Sequence, residues 1–171
     1  MVLSCTKKVR DRIKTIKEVE NVKLEDGFYN WYVDAITLQR KKYFLFTHSE
    51  SLFSFFIYLD TKDTLLNLEL VFQEKLREII IRDIGTSEKF QKAIIPKDPK
   101  FRFVKTNSRS ILASVKDIKY HLEWRFEGDG INRPDHDLIQ HKMNEMPIGI
   151  KGYKNAKELM LEALIKRVAK Y

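Results

Sequence analysis

The feature that most constrains the fold is a series of three apolar segments between residues 29 and 59. The central segment, YFLFTH at 43–48, is a continuous apolar run, which is typical of a strand covered on both faces. The segment before it, YNWYVDAIT, alternates and so predicts a half-buried strand. Its two faces carry, respectively, Trp31, Val33 and Ala35, and Tyr32, Asp34 and Ile36. With LFSFFIYL, which follows SES, these segments predict a three-stranded meander.

The rest of the chain adds two strands and several helices. The longest helix is predicted at 63–84 from apolar residues at helical spacing, with Gly85 as its stop. A first helix follows Thr6 as its cap, a short one follows Thr86 or Ser87, and another runs from about 111 to 126. Asn155 and Glu158 form a capping-box pattern at the start of a last helix. The predicted strands are 2–5, 29–37, 43–48, 52–59 and 101–105.

These elements predict an α+β fold: a mixed, mainly antiparallel five-stranded sheet covered by helices, with a helical C-terminal portion. A chain of 171 residues is long enough for one good core and short for two domains. We therefore expect a single domain over 1–171. Within it, GDG at 128–130 divides an α+β core at 1–127 from a mostly helical extension at 128–171.

Charge and cysteine content indicate the partner and the compartment. Lys and Arg number 32 against 24 Asp and Glu, a net charge of +8, which favours anionic partners such as nucleic acid, phosphorylated metabolites or an acidic protein. The single cysteine, Cys5, rules out an internal disulfide framework and fits a reducing compartment, so we expect a cytoplasmic protein. No secretory signal and no run of eighteen apolar residues is present, so no membrane partner is expected.

The segment between the last predicted strand and the next helix is the first candidate site. A turn from strand to helix presents free backbone N–H groups and the positive end of a helix dipole, to which an arginine adds a bidentate donor for phosphate. The predicted anion-binding residues are Thr106, Asn107, Ser108, Arg109 and Ser110. The alternative is a plain helix cap, which is favoured because no glycine lets a phosphate approach the backbone.

A basic first helix is the second candidate. Its cations fall on one stripe and could follow a nucleic acid backbone, extended by a basic turn. The predicted nucleic-acid-binding residues are Lys7, Arg10, Lys14 and Lys17, with Arg40, Lys41 and Lys42 in the turn. Tyr29, Trp31 and Tyr32 could stack on bases if they face solvent. The alternative is a solvated charged face with these aromatic residues in the core.

Metal binding and nucleophilic catalysis have less support. Asp137, His141 and Glu145 recur at four-residue spacing and could supply three ligands, but without cysteine pairs or an HExxH pattern ordinary surface charge is favoured. Cys5 precedes a cationic helix, yet no partner histidine can be chosen, so a buried structural cysteine is favoured. We predict no metal and no cofactor.

Four short segments together resemble a known family: LSCTKK, Trp31 to Asp34 as W-x-x-D, RKKYFLF and KTNSRSILASVKD. They are similar to a bacterial family of small uncharacterised proteins, a domain of unknown function with a Cys-Thr-Lys-Lys start and a Thr-Asn-x-Arg-Ser segment. The resemblance covers about residues 2–118. Where that family often continues with Gly-Ser-Met-Asn-Asp, this chain has Ala113, Ser114, Val115, Lys116 and Asp117. The resemblance implies no reaction, but it supports the segmentation of the chain and the interest of residues 106–110.

Three functions remain open. The first is a cytoplasmic, non-enzymatic binding or regulatory protein with an anionic partner, which the charge, the basic helix and the turn at 106–110 favour. The second is a small enzyme acting on a phosphorylated or nucleotide substrate held by Arg109. The third is an interaction protein of toxin–antitoxin or phage-defence type, whose basic face meets an acidic protein.

Overall fold

A computed structural model describes residues 1–24, 27–85, 87–128 and 135–169 of the chain. Its centre is one six-stranded sheet in the order β2-β6-β1-β3-β4-β5. The strands are β1 (Val2–Cys5), β2 (Val19–Lys23), β3 (Asn30–Leu38), β4 (Lys41–His48), β5 (Ser54–Tyr58) and β6 (Arg102–Lys105).

Seven helices surround this sheet in the described part of the chain. They are α1 (Lys7–Ile13), α2 (Lys62–Leu66), α3 (Leu68–Asp83), α4 (Glu88–Ile94), α5 (Arg109–Gly128), α6 (His136–Asn144) and α7 (Ala156–Val168). A short 3₁₀ helix, Gly149–Lys151, precedes α7. Among these described helices, none combines the length and the apolar composition needed to cross a lipid bilayer.

The sheet is mixed, and its two halves differ. β1 pairs in parallel with both β3 and β6, and β2 pairs in parallel with β6. β3, β4 and β5 form the predicted antiparallel meander. The predicted α+β class is therefore confirmed, but five strands is wrong and an antiparallel arrangement holds only for the β3–β4–β5 half. The additional strand is β2, which is short and mostly exposed and so lacks the apolar pattern of a buried strand.

Helices cover both faces of the sheet, as the apolar run in β4 predicted. On one face α1, α3, α4 and α7 pack around Trp31, Val33 and Ala35. On the other face α5 and α6 pack around Tyr32 and Ile36. The predicted division of β3 into two faces is confirmed, because odd and even positions enter two separate hydrophobic clusters. The predicted half-burial of β3 is wrong, because helices cover both of its faces.

The predicted helices are mostly present with altered limits. The long helix at 63–84 is divided into α2 and α3 at Asn67, whose φ of −101° and ψ of 24° leave the helical region. The capping box is confirmed: Glu158 N donates to Asn155 Oδ1 at 2.9 Å, and Asn155 N donates to Glu158 Oε2 at 2.9 Å. The predicted cap at Thr86 and most of the GDG break at 128–130 lie outside the described residues.

Candidate anion-binding site

The candidate site lies where the parallel strands β1, β6 and β2 end. The helices that follow the neighbouring strands β1 and β6 lie on opposite faces of the sheet. α1 follows β1 and packs in the hydrophobic cluster that contains Trp31, whereas α5 follows β6 and packs in the cluster that contains Tyr32. In open sheets with helices on both faces, ligands bind outside the carboxyl ends of strands where such connections diverge. The segments Cys5 to Lys8 and 106–110, which are far apart in sequence, meet at this edge.

The turn at 106–110 is held by a hydrogen-bond network centred on Tyr32. The backbone N–H of Ser108 donates to the Tyr32 hydroxyl at 3.0 Å, and that hydroxyl donates to the side-chain oxygen of Asn107. Asn107 in turn donates its amide to the carbonyl of Leu24. The Ser108 hydroxyl accepts from Ile111 N at 3.3 Å and so caps α5. Asn107 and Ser108 thus fix the start of the helix.

A second network ties the start of α1 to β3 and α5. Thr6 Oγ1 donates to Asp34 Oδ1 at 2.7 Å, and Lys119 Nζ donates to Asp34 Oδ2 at 2.7 Å. Lys119 also reaches the carbonyl of Ala35 at 3.1 Å. Thr6 occupies the N-cap position of α1, but its side chain makes no capping hydrogen bond there. Thr6 therefore stands at the N-cap position without capping the helix, and its hydroxyl instead positions Asp34.

Several cations at this edge have no ion-pair partner among the described residues. Strand register places Lys105 beside Cys5 on one side and beside Lys23 on the other. Lys7 and Lys8 are exposed in the first turn of α1, and Arg109 is exposed in the first turn of α5. We call this set the strand-end cations: Lys7, Lys8, Lys23, Lys105 and Arg109. Arg109 begins α5, so its charge adds to the positive end of that helix dipole.

Only two of the five predicted anion-binding residues are exposed to solvent. Arg109 and Ser110 are exposed, whereas Thr106, Asn107 and Ser108 are half-buried. Because Asn107 and Ser108 make the internal hydrogen bonds described above, the helix-cap alternative describes these two residues, which cap and anchor α5. Anion binding by this segment stays a prediction. Arg109 is exposed and has no ion-pair or hydrogen-bond partner among the described residues.

The predicted nucleic-acid-binding residues at the start of the chain differ in their ion pairs and in their exposure, so they do not form one uniform cationic stripe. Lys17 donates to the carbonyl of Leu66 at 2.7 Å and pairs with Glu69, and Lys14 pairs with Asp11 at 3.5 Å. Lys7 and Arg10 lie nearer the start of α1, with Lys7 exposed and Arg10 half-buried.

The basic turn belongs to the β3–β4 hairpin. Arg40 has a positive φ of 65° in this turn, and Lys41 and Lys42 open β4. Lys41 Nζ lies 5.5 Å from the centre of the Tyr58 ring in β5. Lys41 is therefore directed toward β5, whereas α1 packs on β1 and β3.

The aromatic residues predicted for stacking are in the interior. Trp31 and Tyr32 are fully buried and Tyr29 is half-buried, as the alternative reading expected. Two other aromatic side chains are strongly exposed on α5: Tyr120 at 67% and Trp124 at 63%. The sequence signal for them is that they fall outside the apolar period of α5, which Val115, Leu122 and Phe126 define.

A cavity of about 370 Å³ adjoins the same helix. It lies between α5 and the segment from the end of α6 to the 3₁₀ helix. One wall carries Ser110, Ser114, Asp117 and His121 of α5, and Met143, Asn144 and Met146 lie on the α6 side. Sequence reasoning missed this cavity because its walls come from segments distant in the chain.

The remaining candidates are engaged in structural contacts. His141 Nδ1 lies 2.9 Å from Asp83 and its Nε2 lies 3.2 Å from Glu145, while Asp137 pairs with Arg82 at 3.1 Å. Among the described residues no group of three or more metal-ligating side chains comes together. Cys5 is buried, and burial raises the pKa of its thiol to about 12, although the charge of Arg10 acts in the opposite direction. A thiol with this pKa is not a nucleophile near neutral pH.

Comparison with known proteins extends the resemblance seen in the sequence. No curated protein and no solved structure matches the chain. The matching family model is described as a domain of unknown function (DUF6933) and spans residues 2–159, well beyond the short segments at 2–118. Membership of a family without an assigned activity, predicted from those segments, is thereby confirmed: the chain belongs to the DUF6933 family.

Proposed function

We propose that this chain is a cytoplasmic binding protein whose partner is an anion, either nucleic acid or a phosphate-bearing ligand, bound at the strand-end cations. The observation that carries the proposal is the neighbouring position of Lys23 and Lys105 in the sheet. Like charges on adjacent strands are destabilising. Neither lysine has an acidic partner among the described residues, so a bound anion would relieve their repulsion.

The pattern of ion pairs elsewhere in the molecule supports this assignment. Other lysines are neutralised by nearby carboxylates, as Lys119 is by Asp34 and Lys92 is by Glu88. The strand-end cations instead lie along the edge where β1, β6 and β2 end, and one of them, Arg109, begins α5, a helix of 20 residues. A fixed helix start, free cations and a fork-shaped guanidinium at Arg109 suit recognition of phosphate oxygens. The cytoplasmic location is inferred from the unpaired, buried thiol of Cys5.

The test is the salt dependence of binding. Fluorescence anisotropy of labelled single-stranded DNA, duplex DNA and RNA would be measured at about 50 and 200 mM salt, where phosphate contacts lose affinity steeply. Lys105→Gln and Arg109→Gln should weaken binding, and each should lower the salt slope by about 1. Lys62→Gln is the matched control, because Lys62 is exposed at the start of α2 and unpaired within the described residues.

Two results would contradict the proposal. One is the absence of binding to any polyanion at the lower salt concentration. The other is an equal loss of affinity in Lys62→Gln and Lys105→Gln, because net charge alone would then account for binding.

A second candidate is a small enzyme acting on a phosphorylated or nucleotide substrate. The cavity beside α5 favours it, because Ser110 connects the cavity wall to the strand-end cations, and Asp117 and His121 occupy the same wall. A histidine near a carboxylate is a common acid–base pair in catalysis. The test is product formation from a panel of nucleotides and phosphomonoesters, compared with His121→Gln. Turnover that is absent, or unchanged in that variant, would remove this candidate.

A further inference from the structure

The exposed face of α5 carries cations and aromatic rings in one line. Arg109, Lys116, Tyr120 and Trp124 are separated by seven, four and four residues, so they share one stripe of the helix. All four side chains are exposed. The opposite side of α5 holds Val115, Leu122 and Phe126 in the core. We call the four exposed residues the α5 stripe, and it begins at one of the strand-end cations.

The two aromatic side chains of the stripe are unusually exposed. Tyr120 and Trp124 are 67% and 63% exposed, although large aromatic side chains normally contribute to a core. They are four residues apart, so their rings leave the helix about 6 Å apart along its axis. Each ring therefore has room for a separate flat partner.

The cationic half points to the chemistry of that partner. Arg109 and Lys116 have no ion-pair or hydrogen-bond partner among the contacts of the described residues. Glu123 and Glu127 lie beside Trp124 and are exposed, so the aromatic end of the stripe is not positively charged. An anion would consequently be held at the Arg109 end, and contacts at the Trp124 end would come from stacking rather than from charge.

We propose that the α5 stripe binds single-stranded nucleic acid, with phosphates at Arg109 and Lys116 and bases stacked on Tyr120 and Trp124. This inference rests on the proposed function and specifies its partner. Phosphate contacts combined with aromatic stacking characterise proteins that bind single strands without strict sequence preference. A duplex does not fit, because its bases are stacked on one another and present only their edges.

The two tryptophans of the chain provide a direct readout. Trp31 is fully buried at 0% exposure and Trp124 is 63% exposed, so a quencher in solution reaches Trp124 far more readily. Adding an oligothymidylate of about 12 nucleotides should quench the exposed component of the fluorescence, because stacked bases contact the indole. Trp124→Phe should abolish that quenching.

The decisive comparison uses an abasic oligonucleotide of the same length, which has the phosphates without the bases. Oligothymidylate should bind the native protein about tenfold or more tightly than the abasic strand. Tyr120→Ala combined with Trp124→Ala should remove that difference and leave the salt slope unchanged. Leu70→Ala, which truncates an exposed side chain on α3 across the sheet, is the control and should change neither quantity.

The outcomes separate this inference from the proposed function. Equal binding of the abasic and thymidylate strands, with no quenching of Trp124, overturns the stacking inference and leaves anion binding at the strand ends intact. Absence of binding to both strands at low salt overturns the stacking inference, and it overturns the proposed function as well only when no other polyanion binds. Duplex DNA that binds as tightly as oligothymidylate, with neither affinity changed by Tyr120→Ala and Trp124→Ala, also overturns the stacking inference.

Discussion

The side chain of Asn144 in α6 pairs with the backbone of Ser54 in the edge strand β5. Ser54 N donates to Asn144 Oδ1 at 2.8 Å, and Asn144 Nδ2 donates to the Ser54 carbonyl at 2.8 Å. The amide group thus occupies the place of a neighbouring strand and protects an edge that could otherwise pair with another chain. Gln140 extends the arrangement by accepting from Phe56 N at 3.3 Å.

Asn144→Asp should therefore destabilise the fold. The aspartate keeps an acceptor for Ser54 N, but it loses the donor to the Ser54 carbonyl and brings a carboxylate toward it. Since a buried polar group without a partner costs about 1–3 kcal/mol, we expect the free energy of unfolding to fall by about 2 kcal/mol or more. Urea denaturation measures this. Asn67→Asp at the exposed end of α2 is the control, and an equal loss in both variants would contradict the role of the edge.

The ion pair between Asp34 and Lys119 should contribute more than a surface pair. The two side chains are 15% and 20% exposed, and through Thr6 the pair connects the middle of α5 to the start of α1. Asp34→Asn leaves a poorly solvated ammonium, so we expect a loss of about 2 kcal/mol in the free energy of unfolding. Adding Lys119→Met should recover part of it.

The exposed pair of Glu88 and Lys92 on α4 provides the comparison for Asp34 and Lys119. Its double-mutant cycle should give a coupling energy below about 1 kcal/mol. A coupling energy for Asp34 and Lys119 that is no larger would show that the network at the strand ends does not depend on this charge. Thermal or urea unfolding of the single and double variants provides both cycles.

The elements predicted from sequence were those whose pattern is local. The alternation in β3 indicated its two faces, the apolar run in β4 indicated burial on both faces, and the capping box at Asn155 depends on residues only three apart. The strand β2 was missed because its residues are mostly exposed and show no apolar pattern. It is a strand because it pairs with β6. Asn67 interrupts a helix whose apolar period continues across the break.

The candidate site was predicted only where its residues are consecutive. The segment 106–110 was chosen correctly as a strand-to-helix turn, but its anchoring by Tyr32 depends on which strands are neighbours. The juxtaposition of Lys23 and Lys105 follows from strand order, in which β6 lies between β1 and β2. No periodicity in the sequence encodes that order, so Lys7 and Arg109 were predicted separately, and their grouping with Lys23 and Lys105 was visible only in the folded chain.

Acid should destabilise the protein through His48. The ring is fully buried, with Nε2 lying 2.7 Å from the Phe28 carbonyl and Nδ1 lying 2.9 Å from the Ser51 hydroxyl. Burial lowers the pKa of His48 from 6.5 to about 4, although the hydrogen bond to Phe28 opposes this shift. Between these values the unfolded chain binds a proton that the folded chain does not, so stability falls as the pH falls.

The loss from His48 should reach about 3 kcal/mol near pH 4. Denaturant titrations between about pH 7 and pH 4 measure it as a pH-dependent free energy of unfolding. His48→Gln should be less stable at neutral pH but should flatten this dependence. His121→Gln, which removes an exposed imidazole, should retain the native slope. A native slope in His48→Gln would exclude His48 as the cause.

Cys5 should resist thiol reagents in the folded state. Its side chain is buried, its Sγ donates to the Leu3 carbonyl at 3.3 Å, and burial raises the pKa of the thiol to about 12. Because the thiolate is the reactive form, alkylation should proceed only as fast as the chain opens, and urea should accelerate it. An engineered thiol at an exposed site, Lys62→Cys, should react at once. Rapid labelling of Cys5 in the native protein would contradict its burial.

Neutralising Lys105 should stabilise the fold while it weakens binding. Lys105 and Lys23 are neighbours on parallel strands without a carboxylate between them in the described contacts, so Lys105→Gln should raise the free energy of unfolding by about 0.2–1 kcal/mol. The gain should shrink as salt screens the repulsion. Lys92→Gln, which breaks the pair with Glu88, should change stability in the opposite direction by about 0.3–0.5 kcal/mol. If Lys105→Gln instead lowers stability at low salt, the strand-end cations do not repel one another, and a bound anion would relieve no repulsion.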